Sequence, residues 1–326
     1  MPDLVAFGEG MLRLTAPQHS RLHAAATLDV SLGGAELNVA VALANLGVST
    51  EWVSALPDNP LGRRVVDELR RHGVDTGHVV WKPEARLGLY FLEEGAYPRP
   101  SQVLYDRQGS AITRMVEGDV DWGEALRDAR VLHVTGITPA LCDSCRQRTE
   151  EAVRAAGAAG VKVSLDTNYR SKLWSPAEAQ ECLEALLGDV NLLFTSPSDL
   201  EAVFGRSGAP EDMAAELRSR YSLEAVALSL RVPGSAQGRL CRQSLLLTDR
   251  LWASEAVEHD VVDALGAGDA FTAGVLYGWL QGDPLLGLRM GDTLAAMKQT
   301  VPGDLADFTL AEVEAVMSAP SARVHR

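Results

Sequence analysis

Short apolar runs alternate with longer helical stretches along almost the whole chain, and that order admits few architectures. Residues 4–7, 52–55, 131–134, 161–165, 192–194 and 225–230 read as strands. Helices are expected over 35–46, 61–72 and 149–159, closed by Gly47, Gly73 and Gly160. Asn59-Pro60 supplies a capping residue followed by proline at the second of these. Ser175-Pro176-Ala177-Glu178 has capping-box spacing and opens a further helix to about residue 187. Repeated strand-then-helix order predicts an α/β fold: a doubly wound, mostly parallel sheet with helices on both faces. Two regions break the rhythm. Residues 10–32 and about 78–116 lack a long helix, and 87–92 and 102–105 read as short strands. Both are expected to form one small β-lid on a single domain spanning 1–326.

Composition narrows the partners. Lys and Arg total 30 against 44 Asp and Glu, a net charge of −14. Such a field repels polyanions, so neither nucleic acid nor an anionic membrane surface is an expected partner. A small anionic substrate would need local Arg or Lys. No run of 18 apolar residues predicts a membrane span, and Met1-Pro2-Asp3-Leu4 lacks a secretory leader's features, so a cytoplasmic location is expected. Of the four cysteines only Cys142 and Cys145 are close, and without a second ligand pair they read as free thiols rather than a zinc site.

Three stretches can carry chemistry. The strongest is Asp263-Ala264-Leu265-Gly266-Ala267-Gly268-Asp269-Ala270-Phe271, which opens a helix reaching about residue 280. Its glycines allow a tight turn and close ligand approach, and unpaired N–H groups at a helix start form an anion site. Asp269 at the same helix end could take a proton from a hydroxyl beside those donors, or merely complement the helix dipole. Ala267, Ala270, Gly274 and Gly278 form a small-residue stripe expected to seat this helix close to the sheet. No GK[ST] follows, and Phe271 replaces the third glycine of a dinucleotide fingerprint. The second stretch is Gly33-Gly34-Ala35-Glu36-Leu37-Asn38, where Asn38 lies one turn into a helix and could bind a hydroxyl. The third is Asp166-Thr167-Asn168-Tyr169-Arg170, directly after a strand, where Arg170 could hold a carboxylate or phosphate. Arg107 is a similar candidate on the lid.

On Gly33-Gly34 with Asn38, the Asp166-x-Asn168-x-Arg170 pattern and Asp263 with Gly266-Ala267-Gly268-Asp269-Ala270-Phe271, the chain resembles the ribokinase-like, PfkB-type carbohydrate kinases over essentially its whole length. Within that family it is most similar to the 2-keto-3-deoxygluconate kinases, on residues 33–40, 136–141, 173–176 and 302–304. The resemblance implies ATP with Mg2+, a sugar-acid acceptor, room for a monovalent cation near Asp263, and a lid that also serves as a homo-oligomer contact. It implies Asp269 as general base and Gly266, Ala267 and Gly268 as the backbone anion hole. Gly33, Gly34, Asn38, Tyr90, Tyr105, Arg107, Arg170 and Asp304 would contact substrate, with both arginines on the acid's carboxylate. Asn168, Ser196, Ser229, Arg231, Gly234, Gly266, Gly268 and Asp292 would line the nucleotide, and Asp199 would act on magnesium indirectly. Arg231 and Pro233 in the nucleotide strand, Ser196 at a helix start, and Asp292 where asparagine is common depart from the family pattern. A neutral-sugar kinase such as a fructokinase, and a non-catalytic sugar-binding relative, are the alternatives. A neutral sugar would not require two arginines.

Overall fold

The computed structural model describes residues 2–232 and 240–318. Its large sheet runs, from one edge, Leu251–Ala253, Leu240–Leu247, Ala225–Val232, Leu192–Thr195, Lys162–Asp166, Val131–Thr135, Leu4–Phe7, Thr50–Leu56 and Val79–Trp81. From Ala225–Val232 to Val79–Trp81 every neighbour is parallel, while Leu240–Leu247 adds an antiparallel edge. Alternation within one strand divides the core in two. Leu4, Ala6 and Trp52 enter the apolar cluster on one face, and Val5, Phe7 and Val53 enter the cluster on the other. Burial on both faces explains why these strands read as continuous apolar runs.

Strand order reverses between Leu4–Phe7 and Val131–Thr135. The carboxyl ends of those two strands therefore open a crevice at a topological switch point, where ligands bind in sheets of this type. A smaller sheet overhangs it, in the order Asp29–Gly33, Met11–Thr15, Gly88–Glu93 and Gln102–Asp106. Its two middle strands are parallel and its outer pairs antiparallel.

Several expectations need correction. Val79–Trp81, inside the stretch expected to be lid, pairs instead with Thr50–Leu56 at the large sheet's edge. The helix expected over 149–159 runs Asp143–Ala159, because the Cys142 thiol accepts from the Cys145 N–H (3.4 Å) and caps it six residues earlier. All four cysteines are free. The small-residue stripe of helix Ala267–Gln281 does not seat it on the sheet. Gly274 lies against Gly291, and Gly278 against Gly287, both on helix Pro284–Gln299. A Cβ at Gly278 would stand 2.2 Å from the Gly287 Cα, so the two backbones touch where neither has a side chain. No helix among the described residues is long and apolar enough to cross a membrane.

Candidate active site

The crevice holds a cavity of about 350 Å³, lined by both sheets and the start of helix Ala267–Gln281. Gly266 occupies the left-handed region (φ 79°), which favours glycine, and a Cβ there would lie 1.9 Å from the Asp304 carbonyl oxygen. The turn is thus held by two constraints that only glycine meets. No side chain among the described residues caps the helix, so its first N–H groups are left for a ligand. Gly268 is exposed, with no other group within 4 Å of where a Cβ would stand. Asp269 points from this end into the cavity. Asn38 Nδ2 donates to Asp269 Oδ2 at 2.7 Å, and Asn38 Oδ1 is buried with no partner among the described residues. Burial is the main cause raising the Asp269 pKa, to about 7; the Asn38 bond works against it, and nearby Asp304 adds to it.

Asp304 lies on the same floor under different control. Tyr90 Oη (2.6 Å) and Arg13 Nη1 (2.7 Å) both donate to its carboxylate. Arg13 also pairs with Asp263 at 2.5 Å and is only 1% exposed. Gly33 packs against this group: a Cβ there would stand 2.2 Å from the Tyr90 hydroxyl. Gly34 lies equally close to the Glu9 carbonyl oxygen. Thr135 and Thr138 hydroxyls each donate to Glu36 Oε1 at 2.8 Å, tying the start of helix Ala35–Asn45 across the switch point. Burial keeps the Glu36 pKa above its ordinary value.

The cavity therefore brings together Gly34, Asn38, Tyr90, Tyr105, Arg107, Arg170, Gly266, Asp269 and Asp304 from motifs far apart in the chain. It separates the two arginines expected to act alike. Arg107 pairs with Glu9, a buried acid that also accepts from Ser110, so its charge is already balanced. Arg170 is exposed and donates to the Tyr169 carbonyl oxygen, with no ion pair among the described residues.

The pfkB family carbohydrate kinase model matches residues 1–308. The chain belongs to that family.

It is thus a carbohydrate kinase, and its relatives include several kinases of deoxy sugar acids and a fructokinase. It is 41% identical to the 2-dehydro-3-deoxygalactonokinase of Haloferax volcanii, over 99% of each chain. It is 30% identical to the 2-dehydro-3-deoxygluconokinase of Bacillus subtilis, over 99% of this chain and 98% of that one. The crystal structure of the 2-dehydro-3-deoxygluconokinase of Thermotoga maritima superposes with a TM-score of 0.92, at 36% identity, over 97% of this chain and 98% of that one.

Of the residues expected at the kinase's nucleotide side, Gly266 lines the cavity, and Ser196 and Ser229 follow paired positions on adjacent strands. Ser196 caps helix Pro197–Phe204 through the Asp199 N–H (3.2 Å), and Asp199 accepts from Thr167 Oγ1 at 2.9 Å. Asn168 is buried with φ of 41°, its N–H held by Asp166 (3.1 Å). Ser229 is half-buried opposite Ser244. Arg231 lies on strand Ala225–Val232, in register with Arg242, and Gly234 lies outside the described residues. Asp292 is corrected: it is fully buried and accepts from Ser244 Oγ at 2.6 Å, with no surface to offer an adenine.

Three acids escaped the sequence reading as site residues. Glu9 and Glu36 line the cavity, and their signals were the Gly-Glu-Gly turn after the first strand and the acid inside the Gly33-to-Asn38 motif. Asp166 ends its strand beside Asp199 and Asp269, and burial, followed by those two charges, raises its pKa to about 8. Two side-chain cations meet the residue beside which the resemblance leaves room for a monovalent cation. Lys298 Nζ donates to the Asp263 carbonyl oxygen (3.2 Å), and Arg13 holds the Asp263 carboxylate, so two cations already serve that residue.

Proposed function

We propose that this kinase transfers the γ-phosphoryl group of ATP to a hydroxyl of a 2-keto-3-deoxy sugar acid, converting 2-keto-3-deoxygluconate to its 6-phosphate. The observation that carries the acid assignment is Arg170, a guanidinium without an ion pair among the described residues, in the same cavity as Asp269. An exposed planar fork suits a carboxylate. The deoxy-sugar-acid names of the relatives point the same way.

Asp269 takes the proton of the acceptor hydroxyl. A base with pKa near 7 is well placed for that at neutral pH. Asn38 holds one oxygen of Asp269, and its own unpartnered Oδ1 accepts from a sugar hydroxyl. The N–H groups at Gly266, Ala267 and Gly268 meet the charge that develops on the transferring phosphoryl group. The uncapped helix start and the open approach at Gly268 fit a nucleotide's terminal phosphates. Asp166 and Asp199 offer hard carboxylate oxygens that fit Mg2+, which binds through few protein carboxylates and keeps several waters. Bound there, Mg2+ supplies charge neutralisation on the phosphates. Use of ATP suits a cytoplasmic location. Exposed Val30 and Leu104 on the small sheet support self-association through that face.

The test is an ATP-coupled assay over 2-keto-3-deoxygluconate, its C4 epimer 2-keto-3-deoxygalactonate, gluconate and fructose. The Haloferax relative makes the galacto epimer the second reading. High kcat/KM on a keto-deoxy acid is expected. Comparable kcat/KM on fructose overturns the acid assignment.

A further inference from the structure

Lys298 is a cation held wholly inside the fold. It sits on helix Pro284–Gln299 and is 0% exposed. Its ammonium makes no ion pair among the described residues. It donates instead to two main-chain carbonyl oxygens, of Asp263 (3.2 Å) and Val301 (3.3 Å). Burying a lysine in this way is costly, and burial does lower its pKa, while Asp263, Asp304 and Asp269 nearby favour its charge.

The two carbonyls mark the two turns that build the catalytic floor. Asp263 begins the turn leading to Gly266 and the uncapped helix start, and Val301 begins the turn leading to Gly303 and Asp304. The Asp263 carboxylate clamps both turns as well, accepting from the Leu265 N–H (3.1 Å) and the Gly303 N–H (2.9 Å). Carbonyl oxygens converging on a dehydrated unit charge are the donor set that a bound monovalent cation would use.

We infer that the Lys298 ammonium is a built-in monovalent cation, a positioning residue that fixes both turns and makes turnover independent of added potassium or sodium. It touches no substrate. It acts by holding Gly266 to Asp269 and Asp304 in register. The inference uses the phosphoryl-transfer reading only for its kinetic readout, so a second readout without substrate accompanies it.

Turnover and thermal melting would be measured for the wild type and Lys298→Ala in KCl, NH4Cl and tetramethylammonium chloride at one ionic strength. Tetramethylammonium is too large for the space a lysine head leaves. Wild-type turnover should agree within about twofold in all three salts. Lys298→Ala should lose about 10²-fold in kcat in tetramethylammonium, the scale of misplacing a reacting group by about 1 Å, with KM little changed. Ammonium or potassium should restore at least about tenfold of that and raise the melting temperature of Lys298→Ala but not of the wild type. Lys298→Met, which fills the space without a charge, should stay slow in every salt. Several-fold potassium activation of the wild type overturns the inference, as does a Lys298→Ala loss that no cation relieves by either readout. If neither variant folds, the wild-type salt comparison decides by itself. If the wild type phosphorylates none of the sugars, the functional reading has failed and the melting series still decides this one.

Discussion

Two carboxylates share the floor of the cavity and are managed in opposite ways. Asp304, on the loop after helix Pro284–Gln299, is locked by a buried guanidinium and a tyrosine hydroxyl. Asp269, at the helix start, receives only an amide from Asn38 and has no ion pair among the described residues. The first arrangement fixes a group in place by satisfying it. Burial raises the pKa of both carboxyls; Arg13 and the Tyr90 hydroxyl oppose it at Asp304, whereas the Asn38 amide is the main opposition at Asp269. The contrast separates a group that shapes the site from one that reacts in it.

The largest expected effect breaks the reactive side. Asp269→Asn should lose about 10²–10⁴-fold in kcat with a modest change in substrate affinity, read by steady-state kinetics. The wild-type kcat/KM should fall with an acid limb near pH 7, about tenfold per unit below it, as Asp269 takes up its proton. Asp269→Asn should lack that limb. Next comes the locked side. Arg13→Met strands the carboxylates of Asp263 and Asp304 in the interior, and a loss of about 3–5 kcal/mol is expected in urea unfolding, far more than any effect of Asp269→Asn on folding.

A smaller effect sharpens the contrast between the arginines. Arg170→Lys keeps charge but loses the planar fork, and should raise KM for the sugar acid about tenfold, the worth of one charge-assisted hydrogen bond. A KM unchanged by that substitution would move the carboxylate elsewhere. The smallest effect is on melting of the free protein. A carboxylate whose pKa is raised by folding, from 3.8 to about 7 for Asp269 and about 8 for Asp166, binds its proton more tightly in the native state. Its stabilising contribution is complete below about pH 4 and is lost as pH rises through about 7 to 8. The melting temperature should therefore fall between about pH 4 and 8, and Asp269→Asn should flatten that slope and melt higher at about pH 8.

Local signals carried much of the architecture. Strands buried on both faces read as unbroken apolar runs, and the Ser175 capping box appears at its helix with both reciprocal bonds. Signals that depend on a distant partner were not legible. Glycine spacing announced that helix Ala267–Gln281 approaches something closely, but not that the neighbour is another helix rather than a strand. Cys142 is a poor match to the usual capping residues, so the start of its helix was hidden. Arg107 read as a free guanidinium because Glu9 lies 98 positions away. Nothing local in the sequence marks Lys298, since its carbonyl partner on Asp263 is 35 residues distant. In each case the residue type was visible and the tertiary neighbour that decides its role was not.

The bare contact between helix Ala267–Gln281 and helix Pro284–Gln299 has a mechanical consequence. Gly278 stands nine residues beyond Asp269, about 13 Å along a stiff rod. A single methyl group there would push the rod sideways and swing its tip, so this kinase's aim at its acceptor is set partly by a spot that no ligand ever reaches.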